Sequence, residues 1–290
     1  MLAHRPPVLR ERYPDLNAAF HELGERIKSV ARDGNDARIL SWVAREAHAA
    51  SRPDIAHLLD AAISDYLRSV APHGRSLVTR RLDQLRGAVD RELQEIEARR
   101  STFESTYIDG TIAAIAVVHP ELSAHLHAVG SLAMRIALAM GCNSELARDC
   151  ANVGRLHDIG KLRLPKNILD GIVLPPQKHG IVENHVRDSQ EFVARDALLA
   201  RYAFAVRSHH ERIDGSGYPD RLIGPEIPFE ARVVAVADVF HAMTSVRSYA
   251  PTYDASDVLA YIETQRGKLF DADVVDALRI SLGVAKCVAA

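Results

Sequence analysis

Glu121, His125, the neighbours His157 and Asp158, His185, the neighbours His209 and His210, and Asp238 gather carboxylates and imidazoles into one part of the chain. Neutral imidazole nitrogens and carboxylate oxygens are ligands for borderline divalent metals such as iron, manganese and zinc. A structural zinc needs only four such groups, so a larger set points to a cluster of at least two ions. Two divalent ions held roughly 3.5–4 Å apart clamp phosphate oxygens and lower the pKa of an attacking water. These residue types therefore point to metal-dependent hydrolysis of a phosphate ester.

Each side chain also has a plainer explanation to be weighed. Glu121 and His125 stand four apart and share one face of any helix that runs through them; on a surface they would need no metal. His127 lies off that face and is expected to be structural. A buried His209-His210 pair would be costly without partners, and joint ligation accounts for it. Asp238 interrupts the apolar run from Val233 to Phe240, where an unpaired carboxylate would be costly too. Lys161 follows Asp158 by one helical turn; unless it is a surface lysine, it stabilises phosphoryl charge or protonates a leaving oxygen. Arg247 offers a planar fork for phosphate or a guanine edge. Tyr218 offers a ring and a hydroxyl to a substrate, or else buttresses its own loop. Gly215 and Gly217 would let backbone approach a ligand closely. Glu211 and Asp214 are expected to orient the histidines from behind.

The surroundings of these residues carry a family resemblance. His157-Asp158-Ile159-Gly160-Lys161, followed by Leu164-Pro165 and Ile168-Leu169, resembles the signature of the HD phosphohydrolases. His209-His210-Glu211, Asp214-Gly215-Ser216-Gly217-Tyr218-Pro219 and Gly224-Pro225-Glu226-Ile227-Pro228 resemble the HD-GYP subfamily. Asp238-Val239-Phe240, Ser245-Val246-Arg247-Ser248-Tyr249 and Gly267-Lys268-Leu269-Phe270-Asp271 extend the match across residues 108–282. The resemblance implies an all-α HD-domain helical bundle that hydrolyses the bacterial second messenger cyclic di-GMP to the linear dinucleotide, to GMP, or to both. It also implies one ion among His125, His157, Asp158 and Asp238. Asp158 would bridge to a second ion held by His185, His209 and His210. The family's spacing from His157 favours His185 over His179. Iron or manganese is the expected metal, and Glu121 would add a third ion that makes the second cleavage to GMP feasible.

Some positions depart from the family pattern. Ala250 stands where a basic residue commonly follows the tyrosine, His241 replaces a usual aspartate, and Arg221 replaces a glycine. The stretch from Asp170 to Lys178 lacks the usual Pro-Gly turn. None of these removes a ligand, but all bear on substrate contacts. The alternatives to a cyclic di-GMP phosphodiesterase are therefore a weakly active cyclic di-GMP-binding effector and an HD phosphohydrolase for another cyclic dinucleotide or nucleotide.

The elements that must position these groups read as helices. His119-Pro120 opens the helix bearing Glu121 and His125, and Gly141 ends it as a cap. Ala147 to Leu156 leads into the His157-Asp158 pair, and Leu198 to Ser208 into His209-His210. The glycines and prolines from Gly215 to Pro228 demand an irregular loop, after which Ala231 to Ala242 resumes helix. Residues 1–100 are expected to form a separate helical regulatory or dimerisation region, ahead of a catalytic domain over 101–290. Helices are predicted over Leu16 to Val30, over Ala37 to Ala49 after Asp33-Gly34-Asn35, and after Ser51-Arg52-Pro53. Past a break at Pro72-His73-Gly74, Val78, Leu82, Leu85, Val89, Leu93 and Ile96 form a heptad-like stripe. It is either a core-facing stripe or the seam of a homodimer that passes a signal, with or without a protein partner.

Bulk properties narrow the setting. A net charge of −2 over 290 residues argues against a long nucleic-acid duplex as partner, which would favour a basic face. Cys142, Cys150 and Cys287 show no paired metal spacing, so reduced thiols in a cytoplasm are expected. Neither a signal-peptide profile nor a membrane-spanning apolar run is evident in the sequence.

Overall fold

The computed structural model describes residues 16–34, 36–48, 55–70, 75–164, 184–245 and 252–284. The expected helix start at Ser51-Arg52-Pro53 and the break at Pro72-His73-Gly74 lie outside them. So do Asn35, Pro165, Ile168-Leu169, the altered turn from Asp170 to Lys178, His179, Cys287, and the segment holding Arg247 and Ala250. Among the described residues the chain is all-α, and its extended pairing is limited to two isolated bridges, Asp214 with Ile223 and Arg266 with Phe270.

Among the described residues, four helices belong wholly or partly to a first compact unit, Met1–Phe103, and the rest to a second, Glu104–Ala290. They are α1 (Leu16–Asp33), α2 (Ala37–His48), α3 (Ile55–Ser69) and α4 (Arg75–Val118). The first unit is built round Leu23, Ile27, Trp42, Ile55 and Leu59, with Leu82, Leu85 and Val89 of α4 among them. Those three residues are at most 1% exposed. The middle of the stripe from Val78 to Ile96 is thus core-facing, with Val78 and Leu93 packed against the same core. α4 runs unbroken past residue 103, where the two compact units divide, and through Gly110. Gly110 costs an isolated helix about 1 kcal/mol relative to alanine, too little to end one so long.

The second unit contains the end of α4 and then α5 (Pro120–Ala139), α6 (Ser144–Leu156), α7 (His185–Ala194) and α8 (Ala203–Arg207). It closes with α9 (Phe229–Thr244), α10 (Ala255–Thr264) and α11 (Ala272–Ser281). By length and composition α5 is apolar enough to cross a membrane, contrary to the sequence reading. Its apolarity serves the interior instead, since Leu126, Val129, Ala133, Ile136 and Ala137 are wholly buried. α9 has buried residues on most sides, from Val233 to Ala237, as expected of a helix surrounded by others. It packs on α5, α6, α10 and α11.

The turn between α5 and α6 has the anticipated caps. Gly141 takes a φ of 81°, the left-handed conformation that ends helices at low cost in glycine. Asn143 then accepts a hydrogen bond from Leu146 N–H at 2.9 Å to start α6. The two helices next cross at a pair of glycines. A Cβ on Gly154 would lie 2.8 Å from Cα of Gly130, and one on Gly130 would lie 2.8 Å from the Ala151 carbonyl. Backbone meets backbone there, and this sets how closely the end of α6 approaches the middle of α5. We predict that Gly154→Ala lowers stability by about 1–3 kcal/mol, the usual cost of overpacking, in urea denaturation of the full-length protein. An unchanged midpoint would show that the crossing has slack.

Candidate metal centre

Separate elements deliver the implicated side chains to one place. His125 comes from the middle of α5, and His157 caps the C-terminus of α6. Asp158 follows, opening the tight 3-10 turn Ile159–Arg163. His185 is the first residue of α7, His209 and His210 follow α8, and Asp238 projects from α9. The 3-10 turn lies directly on the start of α7. A Cβ on Gly160 would stand 2.3 Å from the His185 carbonyl oxygen and 2.4 Å from Ser189 N. Gly160 N–H donates to Ser189 Oγ at 2.8 Å. The glycine of the His-Asp-x-Gly sequence is thus what lets Asp158 and His185 stand side by side.

Asp158 is 1% exposed and lies between two sets of imidazoles. Its Oδ2 faces Nε2 of His157 at 3.2 Å and Nε2 of His125 at 3.5 Å. Its Oδ1 faces Nε2 of His185 at 3.0 Å and Nε2 of His209 at 3.8 Å. Asp238 Oδ1 adds a carboxylate to the first set, 3.2 Å from His125 and 3.7 Å from His157. Potential ligand atoms of Asp158, His185, His209 and His210 all fall within 4.8 Å of one another, as do those of His125, His157 and Asp158. Lys161 ion-pairs with Asp158.

These approaches do not satisfy the atoms that make them. His125 Nε2, His157 Nε2 and Asp158 Oδ1 are buried and have no hydrogen-bond partner, a state that proteins rarely tolerate. A divalent ion in each set would use those lone pairs, so the donor set fits the metals that the residue types imply. The outward nitrogens are already arranged for it. His157 Nδ1 lies 2.8 Å from the Gly154 carbonyl and His209 Nδ1 lies 2.7 Å from the Val206 carbonyl. Each such N–H donation leaves Nε2 with the free lone pair.

The electrostatics of the metal-free protein suit a cation. Burial would raise the carboxyl pKa of both Asp158 and Asp238, yet both are held well below the usual range. His157 and then Lys161 act on Asp158, and His125 and His157 act on Asp238. Burial works against a charge on His157, but Asp158 and Asp238 beside it push its pKa up to about 10. His210 is driven down to about 3 by burial foremost, and burial together with His210 holds His209 well below its usual value. A proton on His157 therefore does part of the neutralising that an ion would do, and ion binding must release it.

Other expected site residues are placed differently. Glu121, in the first turn of α5, is exposed and belongs to neither group of potential ligands. Glu211 and Asp214 hydrogen-bond within the loop that follows the histidine pair. The buried Glu211 carboxylate accepts backbone N–H bonds from Asp220, Arg221 and Leu222 at 2.7–3.1 Å. Asp214 accepts from Ser216 N–H at 2.9 Å and from its Oγ at 2.6 Å. Both carboxylates shape the loop, because its backbone donors have no helix or sheet to serve them. Gly215 and Gly217 have internal reasons to be glycine. Gly215 takes a φ of 79°, and a Cβ on Gly217 would stand 2.4 Å from Arg212 N. The Tyr218 ring stacks on His210 with centroids 4.9 Å apart, which buttresses that histidine. Arg207 pins the loop by a forked pair to Asp220 at 2.5 and 2.7 Å. Residue types alone did not reveal this function of Arg207. Likewise His241, noted only as a departure in sequence, lies 2.9 Å from His125 between their Nδ1 atoms.

The family model described as HD domain matches residues 111–274, more than half of the chain. The chain belongs to the HD domain family. It is 39% identical over 163 residues to the cyclic di-GMP phosphodiesterase response regulator RpfG of Xanthomonas campestris pv. campestris, covering 54% of this chain and 42% of that protein. A cyclic di-GMP phosphodiesterase of Thermotoga maritima is 38% identical over 161 residues, with 54% and 44% covered. A 3'3'-cGAMP-specific phosphodiesterase of Vibrio cholerae is 34% identical over 161 residues, with 54% and 31% covered. The match thus spans less than half the length of these relatives.

Two variants test this geometry. Asp158→Asn should lose both ions by elemental analysis, since a neutral amide cannot bridge two cations; an unchanged metal content would exclude the bridge. Arg221, at the position where a glycine was expected, takes a φ of 57°. That conformation costs a side-chain-bearing residue roughly 1–2 kcal/mol, and glycine's greater freedom when unfolded takes back roughly 0.5–1 kcal/mol. Arg221→Gly should therefore stabilise the protein by about 0.5–1 kcal/mol in urea denaturation; a loss of stability would reveal a contact of the Arg221 side chain.

Proposed function

We propose that the chain is a metal-dependent phosphodiesterase of the HD-GYP type that hydrolyses cyclic di-GMP. The observation that carries this reading is Asp158, buried with one oxygen toward each imidazole set. The names of the Xanthomonas and Thermotoga relatives lend it further support. Bound in the two sets, divalent ions would polarise the phosphate and lower the pKa of the attacking water. His125, His157 and Asp238 hold one side of the centre, His185, His209 and His210 hold the other, and Asp158 joins them. Lys161, with a quarter of its side chain exposed, stands at the rim and stabilises or protonates the departing 3′ oxygen.

Iron or manganese suits the mixed imidazole and carboxylate set. Two ions are favoured over three because Glu121 is exposed and apart from both groups, and the proposed product is accordingly the linear dinucleotide. Arg247 is proposed as a phosphate contact. The second compact unit would be the catalytic domain, the first a helical regulatory region, and the setting a bacterial cytoplasm. A second reading, hydrolysis of 3'3'-cGAMP, is favoured by the name of the Vibrio relative.

Incubating the manganese-loaded protein with either cyclic dinucleotide and separating the products discriminates these readings. Linear dinucleotide from cyclic di-GMP is the expected outcome, preferential cleavage of 3'3'-cGAMP would select the second reading, and saturable binding without turnover would identify an effector. Lys161→Ala should retain its metals and lose about 10²–10⁴-fold in rate if Lys161 is the general acid. An undiminished rate would make it a bystander.

A further inference from the structure

His241 stands on the side of His125 away from the carboxylates. Three residues beyond Asp238, it shares that residue's face of α9. Its Nδ1 is 2.9 Å from Nδ1 of His125, and its Nε2 is 3.0 Å from Oγ of Ser245. Ser245 is held in place at the end of α9, where its N–H donates to the His241 carbonyl at 3.0 Å. The other nitrogen of His125, Nε2, faces Asp238 and Asp158 and is buried without a hydrogen-bond partner.

A neutral imidazole carries its proton on one nitrogen and accepts at the other. If His125 presents Nε2 to an ion, its proton must sit on Nδ1 and point at His241. Nδ1 of His241 must then accept, so His241 carries its own proton on Nε2 and donates it to Ser245. We propose that His241, backed by Ser245, is the positioning residue that fixes His125 in the tautomer and orientation able to bind metal. The need for it follows from the helices. His157 and His209 lie at helix ends, where carbonyls one turn back are free to accept, and each uses one. His125 lies in the middle of α5, where the carbonyls are committed to the helix, so its acceptor must come from another element.

This inference rests on the reading of His125 as a ligand, and manganese(II) titration calorimetry of the metal-stripped full-length protein separates the two. Wild type is expected to bind two ions. His241→Ala should weaken one site by about 10–100-fold, the usual effect of losing such an outer partner, and leave the other unchanged. His241→Asp should restore that site, because a carboxylate also accepts from Nδ1–H. Ser245→Ala, which leaves both histidines in place, should weaken the same site to a smaller extent. Equal affinities in wild type, His241→Ala and Ser245→Ala would overturn the inference while the metal centre stands, as would an equal loss at both sites. No binding by wild type would overturn the centre itself. Should His241→Ala fail to fold, nitrogen-15 spectra of the zinc-loaded wild type decide: a proton on Nδ1 of His125 supports the relay, and one on Nε2 refutes it.

Discussion

A carboxylate buried among four imidazoles is the constraint to which the rest of the second unit answers. Asp158 is 1% exposed, and in a low-dielectric interior an unpaired carboxylate would cost several kcal/mol or give up its charge. It keeps its charge because His157 and Lys161 stand beside it, and its two oxygens are divided between two sets of nitrogens. Such an arrangement is poor as a purely structural device, since three of its buried atoms lack hydrogen bonds. Its stability and its capacity to bind cations are therefore two sides of the same electrostatic problem.

Holding that arrangement requires rigid parts brought unusually close. The contact between Gly130 and Gly154 lets α5 and α6 touch along their backbones, so His125 can reach the residues that follow α6. Gly160 does the same for the 3-10 turn against α7. Each glycine forgoes side-chain packing, and roughly 0.5–1 kcal/mol of helix propensity where it lies within a helix, in exchange for position. The apolar residues of α5 and α9 make this tolerable by burying their surfaces in the core of the second unit.

The loop after His210 is organised by the same logic at smaller scale. Its backbone donors converge on Glu211, its tip is pinned by Arg207, and Tyr218 returns to lie against His210. A loop with these internal ties presents His210 at a defined angle without being part of a helix. Outer contacts of this kind commonly decide how well a metal site works, because they set the tautomer and direction of each ligand.

Much of this was legible in the sequence. Helical periodicity is a local property of the chain, and so the all-α fold and the capping at Gly141 could be read directly. Imidazoles and carboxylates have few economical uses inside a protein, which made His125, His157, Asp158, His185, His209, His210 and Asp238 recognisable as a set. Tertiary structure alone decided the rest. How far the stripe from Val78 to Ile96 faces its own core depends on which surfaces other helices cover, and residues of α1 to α3 pack on Leu82, Leu85 and Val89. Whether Glu121 joins the centre depends on the direction of one turn of α5, which four-residue spacing does not specify. The partners of Glu211, Asp214 and His241 lie in a loop or on another helix, where spacing along the chain gives no measure of distance. Sequence determines what each residue can do chemically, and packing determines which of those capacities meet.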